Sequence, residues 1–325
     1  MKIGILGAGN IAGVLAATMN RLPEVECYAV ASRNLEKAEN FAKKYGFQKA
    51  YGSYEEMISD KEVELVYVAT PHSHHYEHMK MCIEAGKHVL CEKAFTVNAT
   101  QAKEIFSLAE KKGVLVTEAI WTRYMPSRQI INELLATRIG EVKTLTANLD
   151  YRIAEKERII KPELAGGALL DVGVYAINFA LMHFGNAIAK TVSTAHLTET
   201  GVDGQNMITY SYKDGKMAVL TSGIYGLSDR NGVFYGSEGW MVVDNINNPL
   251  EVKIYNKERA LVETISMPEQ ISGYEYEIRE TIECIRQGLM ECPSMPHKDT
   301  VEVMELMDAL RKEWGVQYPG EIESI

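Results

Sequence analysis

Residues 1–19 read MKIGILGAGNIAGVLAATM, and this stretch decides the fold of the first part of the chain. A short apolar strand, Ile3–Leu6, runs into GAGNIA at residues 7–12, and a helical pattern follows at once. Gly7 allows a tight turn, and Gly9 lets the backbone approach a pyrophosphate at the helix N-terminus. Alanine at position 12 replaces a third glycine, which the pattern allows. We expect a dinucleotide cradle here, with a ligand-free glycine turn as the alternative.

The first part of the chain alternates short apolar strands with amphipathic helices. Strands are predicted at residues 3–6, 26–31, 50–51, 65–69, 88–91 and 114–116, and helices at 11–20, 35–45, 54–59, 74–85 and 99–112. This alternation predicts a doubly wound parallel sheet with helices on both faces, a Rossmann fold. We place a boundary near residue 118, between a dinucleotide-binding domain, 1–118, and a second domain, 119–325.

The second part of the chain has a different pattern. Alternating segments appear at residues 142–153, 207–226, 240–245 and 249–267, and Asp214-Gly215 between two alternating runs is a hairpin turn signal. Helices are predicted at 127–137, 173–184, 276–287 and 300–314. The sequence therefore predicts an α/β domain built on a large, mostly antiparallel open sheet.

The composition is ordinary for a globular protein of 325 residues, with 46% hydrophobic and 24% charged residues. A net charge of −10 argues against a general affinity for nucleic acids or anionic membranes. We expect no apolar run near the ~20 residues that span a bilayer. The N-terminus enters a strand without a leader pattern, so we expect a cytoplasmic protein. Five cysteines without a CxxC motif indicate reduced, mostly buried thiols.

The end of the second predicted strand bears on the choice between NAD and NADP. An NAD site usually has a carboxylate there for the ribose 2′-hydroxyl, but this chain has Ser32 and Arg33, with Lys37 one turn later. Ser32 can hydrogen-bond a 2′-phosphate, and Arg33 can neutralise it. We therefore favour NADP over NAD. The alternatives are a solvated Arg33 and an NAD site served by Glu36.

Four histidines in seven residues follow the fourth predicted strand, in HSHHYEH at residues 72–78. His74, Glu77 and His78 fit the HxxEH pattern of some zinc peptidases. The pattern is short, however, and the segment lies at a sheet edge that the glycine motif already assigns to a nucleotide. We therefore predict no metal. The residues expected to line the cofactor cleft from this loop are Thr70, Pro71, His72 and His75.

Motifs spread along the whole chain carry a family resemblance. They are Ala69-Thr70-Pro71 with His75, HVLCEK at 88–93, EAIWTRY at 118–124, GGALLDVGVY at 166–175, YEYE at 274–277 and the ending 304–319. Together they resemble the glucose–fructose oxidoreductase / inositol dehydrogenase (Gfo/Idh/MocA) family, and within it the branch of dimeric dihydrodiol dehydrogenases. Ala94 stands where the family usually has proline, which we expect to loosen the loop carrying Lys93.

The resemblance implies a nucleotide-binding domain followed by an α/β domain whose open sheet commonly forms a dimer face. It implies hydride transfer between a nicotinamide and a carbon that bears a hydroxyl, usually in a sugar, polyol or cyclic diol. We expect a homodimer or tetramer that acts on a small hydroxylated or carbonyl substrate, with no nucleic-acid or membrane partner. The residues expected at the cofactor are Gly7, Gly9, Asn10, Ile11, Ser32, Arg33, Lys37, Thr70, Pro71, His72, His75, Glu92, Lys93, Trp121 and Arg123.

The candidate catalytic residues follow from the chemistry of alcohol oxidation, which needs a base for the hydroxyl proton and a cation beside the developing alkoxide. Lys93, just past the fifth strand, suits the cation. Tyr175 is the candidate acid/base, its pKa shifted by Lys93 from a usual value near 10. Asp171, four residues earlier on one helix face, would orient substrate hydroxyls. Structural alternatives are a Lys93–Glu92 pair, core packing of Tyr175 and a helix-capping Asp171.

The resemblance also matches Arg158 to a family arginine near the substrate, although a surface role is the alternative. The inositol branch carries histidine at the position of Tyr175, which favours the sugar-reductase and dihydrodiol branches. The leading hypothesis is an NADP-dependent oxidoreductase that interconverts a secondary alcohol and a carbonyl of a sugar, polyol, dicarbonyl or trans-dihydrodiol. The alternatives are a non-catalytic NADP-binding regulator or redox sensor, and a glycosidase-like enzyme that uses its nicotinamide transiently.

Overall fold

A computed structural model describes residues 1–324, which form two compact units. The first comprises Met1–Trp121, Gln270–Glu305 and the C-terminal stretch from Gly320, and the second comprises Thr122–Glu269 and Leu306–Pro319. The sequence-based division gave all of 119–325 to the second domain. It did not anticipate that residues 270–305, which we call the return segment, pack with the first unit.

The helices and strands have the following bounds. The helices are α1 (Asn10–Met19), α2 (Leu35–Tyr45), α3 (Tyr54–Ser59), α4 (His75–Glu84), α5 (Ala99–Lys112), α6 (Pro126–Thr137), α7 (Glu157–Ile160), α8 (Val174–Phe184), α9 (Glu275–Arg286), α10 (His297–Trp314) and α11 (Gly320–Glu323). The strands are β1 (Lys2–Leu6), β2 (Glu26–Ala31), β3 (Lys49–Tyr51), β4 (Leu65–Val68), β5 (His88–Glu92), β6 (Val116–Ala119), β7 (Val142–Asp150), β8 (Ile188–Leu197), β9 (Asp203–Tyr212), β10 (Met217–Gly223), β11 (Gly232–Gly236), β12 (Gly239–Val243), β13 (Glu251–Asn256) and β14 (Leu261–Ser266).

The first unit contains a six-stranded parallel sheet in the order β3-β2-β1-β4-β5-β6. The predicted doubly wound parallel sheet is confirmed. The strand order reverses between β1 and β4, and ligands bind at the carboxyl ends of the strands beside such a reversal. Leu6 pairs with Ala31 on one side and with Val68 on the other. The glycine turn, the β2–α2 loop and the β4–α4 loop therefore begin at one edge of the sheet.

The second unit contains an eight-stranded sheet in the order β14-β13-β12-β11-β7-β10-β9-β8. Only β7 and β10 pair in parallel, so the predicted mostly antiparallel sheet is confirmed. Its buried face carries residues such as Leu145, Ala147 and Leu149. The predicted hairpin turn at Asp214-Gly215 joins β9 to β10, and Gly215 has the positive φ of 87° that such a turn requires. Strands β8 and β11 were not predicted.

One helical stretch of the second unit, Pro162–Phe184, is long and apolar enough to cross a membrane, with a mean hydropathy of 1.6 over its most apolar window. The expectation that no apolar run reaches this length was therefore wrong. Of this window, 94% is buried inside the protein. A core helix has this pattern, because it is apolar all round and packed on every side.

Candidate active site

The glycine turn follows β1 and opens α1. Gly7 has a φ of 105°, and a Cβ at this position would lie 2.8 Å from the carbonyl oxygen of Ala69, so only glycine fits. Gly9 is the N-cap of α1, and a Cβ built there would have no heavy atom within 4 Å. The helix N-terminus therefore faces open space, where its backbone N–H groups can receive a phosphate.

A cavity of about 670 Å³ opens beside this turn, between α1 and α2. Its lining includes Gly9, Asn10, Arg21, Lys37, Lys44, Ile271 and Ser272. The structure thus brings together the glycine turn and Lys37, and their binding of a cofactor stays a prediction. The lining has three cationic side chains and no carboxylate, a charge that suits an anionic ligand. The contribution of the return segment was missed, because no motif near Ile271 signals proximity to a turn more than 250 positions earlier.

Arg33 lies near the histidines that follow β4. The Arg33 side chain is exposed. Burial is the larger cause of the lowered pKa of His74, and the positive charge of Arg33 is the smaller one. Burial lowers the pKa of His78 to about 4, with smaller effects from neighbouring histidines and Arg33. Ser32 is buried, and its Oγ accepts a hydrogen bond from the Asn34 N–H at 3.3 Å. The lowered pKa values keep His74 and His78 neutral near pH 7, so the positive charge beside these two rings is that of Arg33.

His75 ties two loops together inside the first unit. Its Nδ1 lies 2.8 Å from the carbonyl oxygen of Ala94, and its Nε2 lies 2.8 Å from that of Thr70. Burial lowers the pKa of His75 to about 4, although both carbonyl groups act in the opposite direction. The ring is 0% exposed. A fully buried ring cannot line a cofactor cleft, so the prediction for His75 is corrected to an internal link between the β4–α4 loop and the chain after β5.

The loop that carries Lys93 is anchored on both sides. Before it, Glu92 is buried at the end of β5 and accepts a short hydrogen bond from the Tyr67 hydroxyl. After it, the Lys93–Ala94 peptide bond is cis, and the Phe95 N–H donates to Oε1 of Glu118 at 3.2 Å. The expectation that Ala94 loosens this loop stays a prediction. Lys93 itself is half-buried.

Trp121 lies in the first unit and Arg123 in the second. The Trp121 ring stacks on Tyr274 of the return segment, with ring centroids 4.3 Å apart and an interplanar angle of 3°. Arg123 is 3% exposed in the second unit, and its Nε donates to Oδ1 of Asn178 on α8 at 2.6 Å. The two residues were predicted to border the nicotinamide, and each is packed within its own unit.

Asp171, Tyr175 and Arg158 lie in the second unit, around one continuous helical segment. Nη1 of Arg158 donates to Oδ1 of Asp171 at 2.7 Å. The exposed fractions are only 5% for Asp171 and 7% for Tyr175. Asp171 lies in a π-helical turn, Leu169–Gly173, which leads directly into α8. Asp171 is thus neither a helix cap nor part of the ordinary α-helix that the sequence predicted.

A cluster of possible metal ligands lies in the return segment of the first unit. The ligand atoms of Glu280, Cys284 and Cys292 all lie within 4.8 Å of one another. Both carboxylate oxygens of Glu280 already accept hydrogen bonds, from the N–H and the hydroxyl of Ser294 at 2.8 and 2.6 Å. Burial raises the pKa of both thiols, which keeps them protonated. All five cysteines are buried free thiols, as predicted.

Comparison with known proteins identifies the family. Residues 1–120 match the family model GFO_IDH_MocA, described as an oxidoreductase family with an NAD-binding Rossmann fold, and residues 128–242 match the GFO/IDH/MocA C-terminal domain. Trans-1,2-dihydrobenzene-1,2-diol dehydrogenase from Xenopus tropicalis is 35% identical over 98% of this chain and 99% of its own length. This chain belongs to the GFO/IDH/MocA oxidoreductase family. The resemblance predicted from the motifs is confirmed.

Other members of the GFO/IDH/MocA family agree with this assignment. The mouse enzyme of the same name is 33% identical over 98% of each chain. KijD10, a 3-ketoreductase from Actinomadura kijaniata solved with NADP and TDP-benzene, is 26% identical, with a TM-score of 0.88 over 96% of this chain and 97% of its own. Its solved variants include replacements of a lysine and of a tyrosine. The chain is therefore an NAD(P)-dependent oxidoreductase, as the sequence predicted.

Proposed function

We propose that this chain is an NADP-dependent oxidoreductase that interconverts a secondary alcohol and a carbonyl of a sugar, polyol, dicarbonyl or trans-dihydrodiol. The observation that carries the proposal is the nearly buried helical segment that presents Asp171 and Tyr175 together, with Arg158 bonded to Asp171. A carboxylate and a phenol in this arrangement suit a substrate with several hydroxyl groups. Relatives named for a trans-dihydrodiol and for a keto group support the same substrate class.

The preference for NADP is supported by charge. No carboxylate follows β2 at residues 32–34, Arg33 is exposed there, and the cavity beside the glycine turn adds three cations without an acid. Such surroundings favour a 2′-phosphate over a 2′-hydroxyl. The ketoreductase at 26% identity was solved with NADP. When bound, the nicotinamide supplies the hydride acceptor or donor.

In this proposal, each residue of the candidate active site has a distinct role. Tyr175 takes the hydroxyl proton during oxidation and returns it during reduction. Lys93 stabilises negative charge on the reacting oxygen. Asp171, oriented by the Arg158 guanidinium, accepts a hydrogen bond from a second substrate hydroxyl. Lysine and tyrosine are also the residue types replaced in solved variants of the ketoreductase.

The test is a 340 nm assay of the purified protein with NADP(H) and NAD(H) against aldoses, ketoses, dicarbonyls and trans-diols. We expect turnover with NADP(H), and a loss of about 10²-fold or more in kcat for Lys93→Met and for Tyr175→Phe, with NADPH affinity kept. Lys111→Met and Tyr225→Phe, at exposed positions, are the matched controls.

Three outcomes would contradict the proposal. Wild-type turnover in Lys93→Met or Tyr175→Phe would remove the assigned roles. Cofactor binding without turnover across the whole panel would favour a regulator. Substrate cleavage without a net change in NADPH would favour a glycosidase-like reaction.

We also propose that the chain is a homodimer whose interface is the open face of the eight-stranded sheet. Large apolar side chains on that face are exposed, among them Val192 at 55%, Met207 at 53% and Tyr235 at 44%. The rings of Trp240 and Tyr255 stack on it, with centroids 4.7 Å apart. Contiguous exposed apolar surface of this kind commonly marks an interface. The cytoplasmic location stays a prediction.

A further inference from the structure

We propose that Asp203 is a positioning residue, whose buried carboxylate, backed by Asn206 and Ser222, holds the π-helical turn that carries Asp171 and leads into Tyr175. The inference rests on the proposed function of Asp171 and Tyr175. It assigns to Asp203 no contact with substrate or cofactor.

Asp203 bonds to the first residue of that turn. It is 0% exposed at the start of β9, and its Oδ2 accepts a hydrogen bond from the Leu169 N–H at 2.8 Å. The first N–H groups of a helical segment lack acceptors that precede them in the same helix. A carboxylate from a strand supplies one here, 34 residues along the chain. The start of the π-helical turn is therefore fixed to the sheet.

Two further side chains hold the carboxylate in place. Nδ2 of Asn206 donates to the same Asp203 oxygen at 2.8 Å, and the Ser222 hydroxyl donates to Oδ1 of Asn206 at 2.9 Å. Asn206 and Ser222 are directly paired across β9 and β10, and their exposed fractions are 4% and 2%. Asp203 is thus fixed by two adjacent strands and does not depend on a flexible surface contact.

Two glycines of the GGALLDVG stretch make room for this network. Gly167 has a φ of 119°, and a Cβ there would lie 2.3 Å from Oδ1 of Asp203. A Cβ at Gly173 would lie 2.9 Å from the Ser222 hydroxyl. A glycine shortly before the π-helical turn and the glycine that ends it therefore both fit against this polar network. The contacts with Asp203 and Ser222 explain why glycine stands at positions 167 and 173, which the family motif alone does not.

The position of the turn matters for the proposed chemistry. Isolated π-helical turns are rare and are frequently found at functional sites. Without its acceptor, the Leu169 N–H is left unpaired in the core, and the turn that carries Asp171 relaxes toward another geometry. A displacement of about 1 Å at a reacting group can cost about 10²-fold in rate. Asp203 thus acts on turnover through the residues that it places.

The experiment compares Asp203→Ala with Asp203→Asn. Alanine removes the acceptor, so we expect kcat to fall about 10-fold to 100-fold with NADPH affinity unchanged, since the glycine turn lies in the first unit. Asparagine keeps an oxygen for the Leu169 N–H, so we expect it to restore kcat to within about 3-fold of the wild type. Steady-state kinetics and NADPH fluorescence titration measure the two quantities below the melting temperature of each variant.

Ile208→Ala is the matched control for a merely structural effect. Ile208 is 1% exposed on the same strand and has no bond to the network, so its truncation lowers stability without freeing Leu169. Amide hydrogen exchange over residues 168–175 gives a readout that needs no substrate. We expect faster exchange there in Asp203→Ala than in Ile208→Ala.

The outcomes separate this inference from the proposed function. Equal kcat and equal exchange in Asp203→Ala and Ile208→Ala would overturn the positioning role. If Tyr175→Phe abolishes turnover while Asp203→Ala does not, the proposed function stands and the positioning role fails. If Tyr175→Phe keeps full turnover, the proposed function fails, and the exchange comparison still decides whether Asp203 holds the turn.

Discussion

Gly7 and Gly9 lie two residues apart, yet a methyl group added at each would meet different surroundings. At Gly7 it would strike the Ala69 carbonyl, and at Gly9 it would enter open space. We therefore expect Gly9→Ala to lower the melting temperature by only about 2–4 °C, since a φ of −92° is open to alanine, although alanine is a poorer N-cap than glycine. The same change should raise the Kd for NADPH by about 10-fold or more, because the methyl group occupies the space of the pyrophosphate.

Thermal unfolding and NADPH titration measure both quantities, and Gly7→Ala serves as the contrast. We expect Gly7→Ala to lower the melting temperature, because its added methyl group clashes inside the protein. Unchanged NADPH affinity in a folded Gly9→Ala protein would mean that the turn does not hold the pyrophosphate.

For single residues, the sequence predicted the location of those that directly follow a strand. Lys93 is an example, because a parallel sheet puts the residue after each strand at the ligand-binding edge. His75 shows where such reasoning ends. Its burial depends on the Ala94 carbonyl, 19 residues away, and no local pattern indicates that contact.

At the scale of single elements, the titratable side chain of Asp203 in β9 bonds to the π-helical turn. Burial raises the pKa of Asp203 to about 7, opposed by the hydrogen bonds from Asn206 and Leu169 and by the charge of Arg311. The unfolded chain loses this proton near pH 4. The folded protein binds the Asp203 proton more tightly than the unfolded chain does. The contribution of Asp203 to the free energy of unfolding is therefore full below about pH 4 and falls as the pH rises to about 7.

We therefore expect the free energy of unfolding to decline between pH 4 and pH 7 by a term on the order of a few kcal/mol, and Asp203→Asn to remove that term. Urea titrations at intervals across this range measure the slope. Glu238→Gln, which removes one exposed carboxylate, is the control. A slope unchanged by Asp203→Asn would mean that Asp203 is ionised in the folded protein throughout.

The same elements show what the chain pattern could and could not predict. Helix α8 followed from its apolar pattern, but the π-helical turn before it depends on a carboxylate from β9 and had no signal of its own. Strand β8 was missed because its side chains are all at least partly exposed, so no buried alternation marks it. Helix α9 was predicted as a helix, and only its packing against the first unit was not.

At the scale of the whole molecule, the open sheet face predicts the oligomeric state. We expect light scattering after size exclusion to give twice the chain mass of 36.3 kDa. Met207→Glu places a charge on that face, in β9, and burying an unpaired charge at an interface is costly, so the variant should elute as a monomer. Leu227→Glu, at a residue 82% exposed outside the sheet, should remain dimeric. A monomeric wild type would contradict the proposed interface.

The two-unit plan was predictable, because the change from strand–helix alternation to long alternating strands is visible in the sequence. The packing of the return segment with the first unit was not predictable, because the composition of a helix does not show to which unit it belongs. Its loop is held by Glu275, whose carboxylate accepts the N–H groups of Ile271, Ser272 and Gly273.

The return segment has a consequence for anyone who dissects this protein. Ser272 bonds to Thr18 of α1, and Tyr274 covers the ring of Trp121. A fragment truncated after Trp121 would keep every glycine of the nucleotide signature and still lose one wall of its own pocket. Excision of a minimal cofactor-binding module must therefore join two distant stretches of the gene, and a cut placed by motif alone would yield an incomplete one.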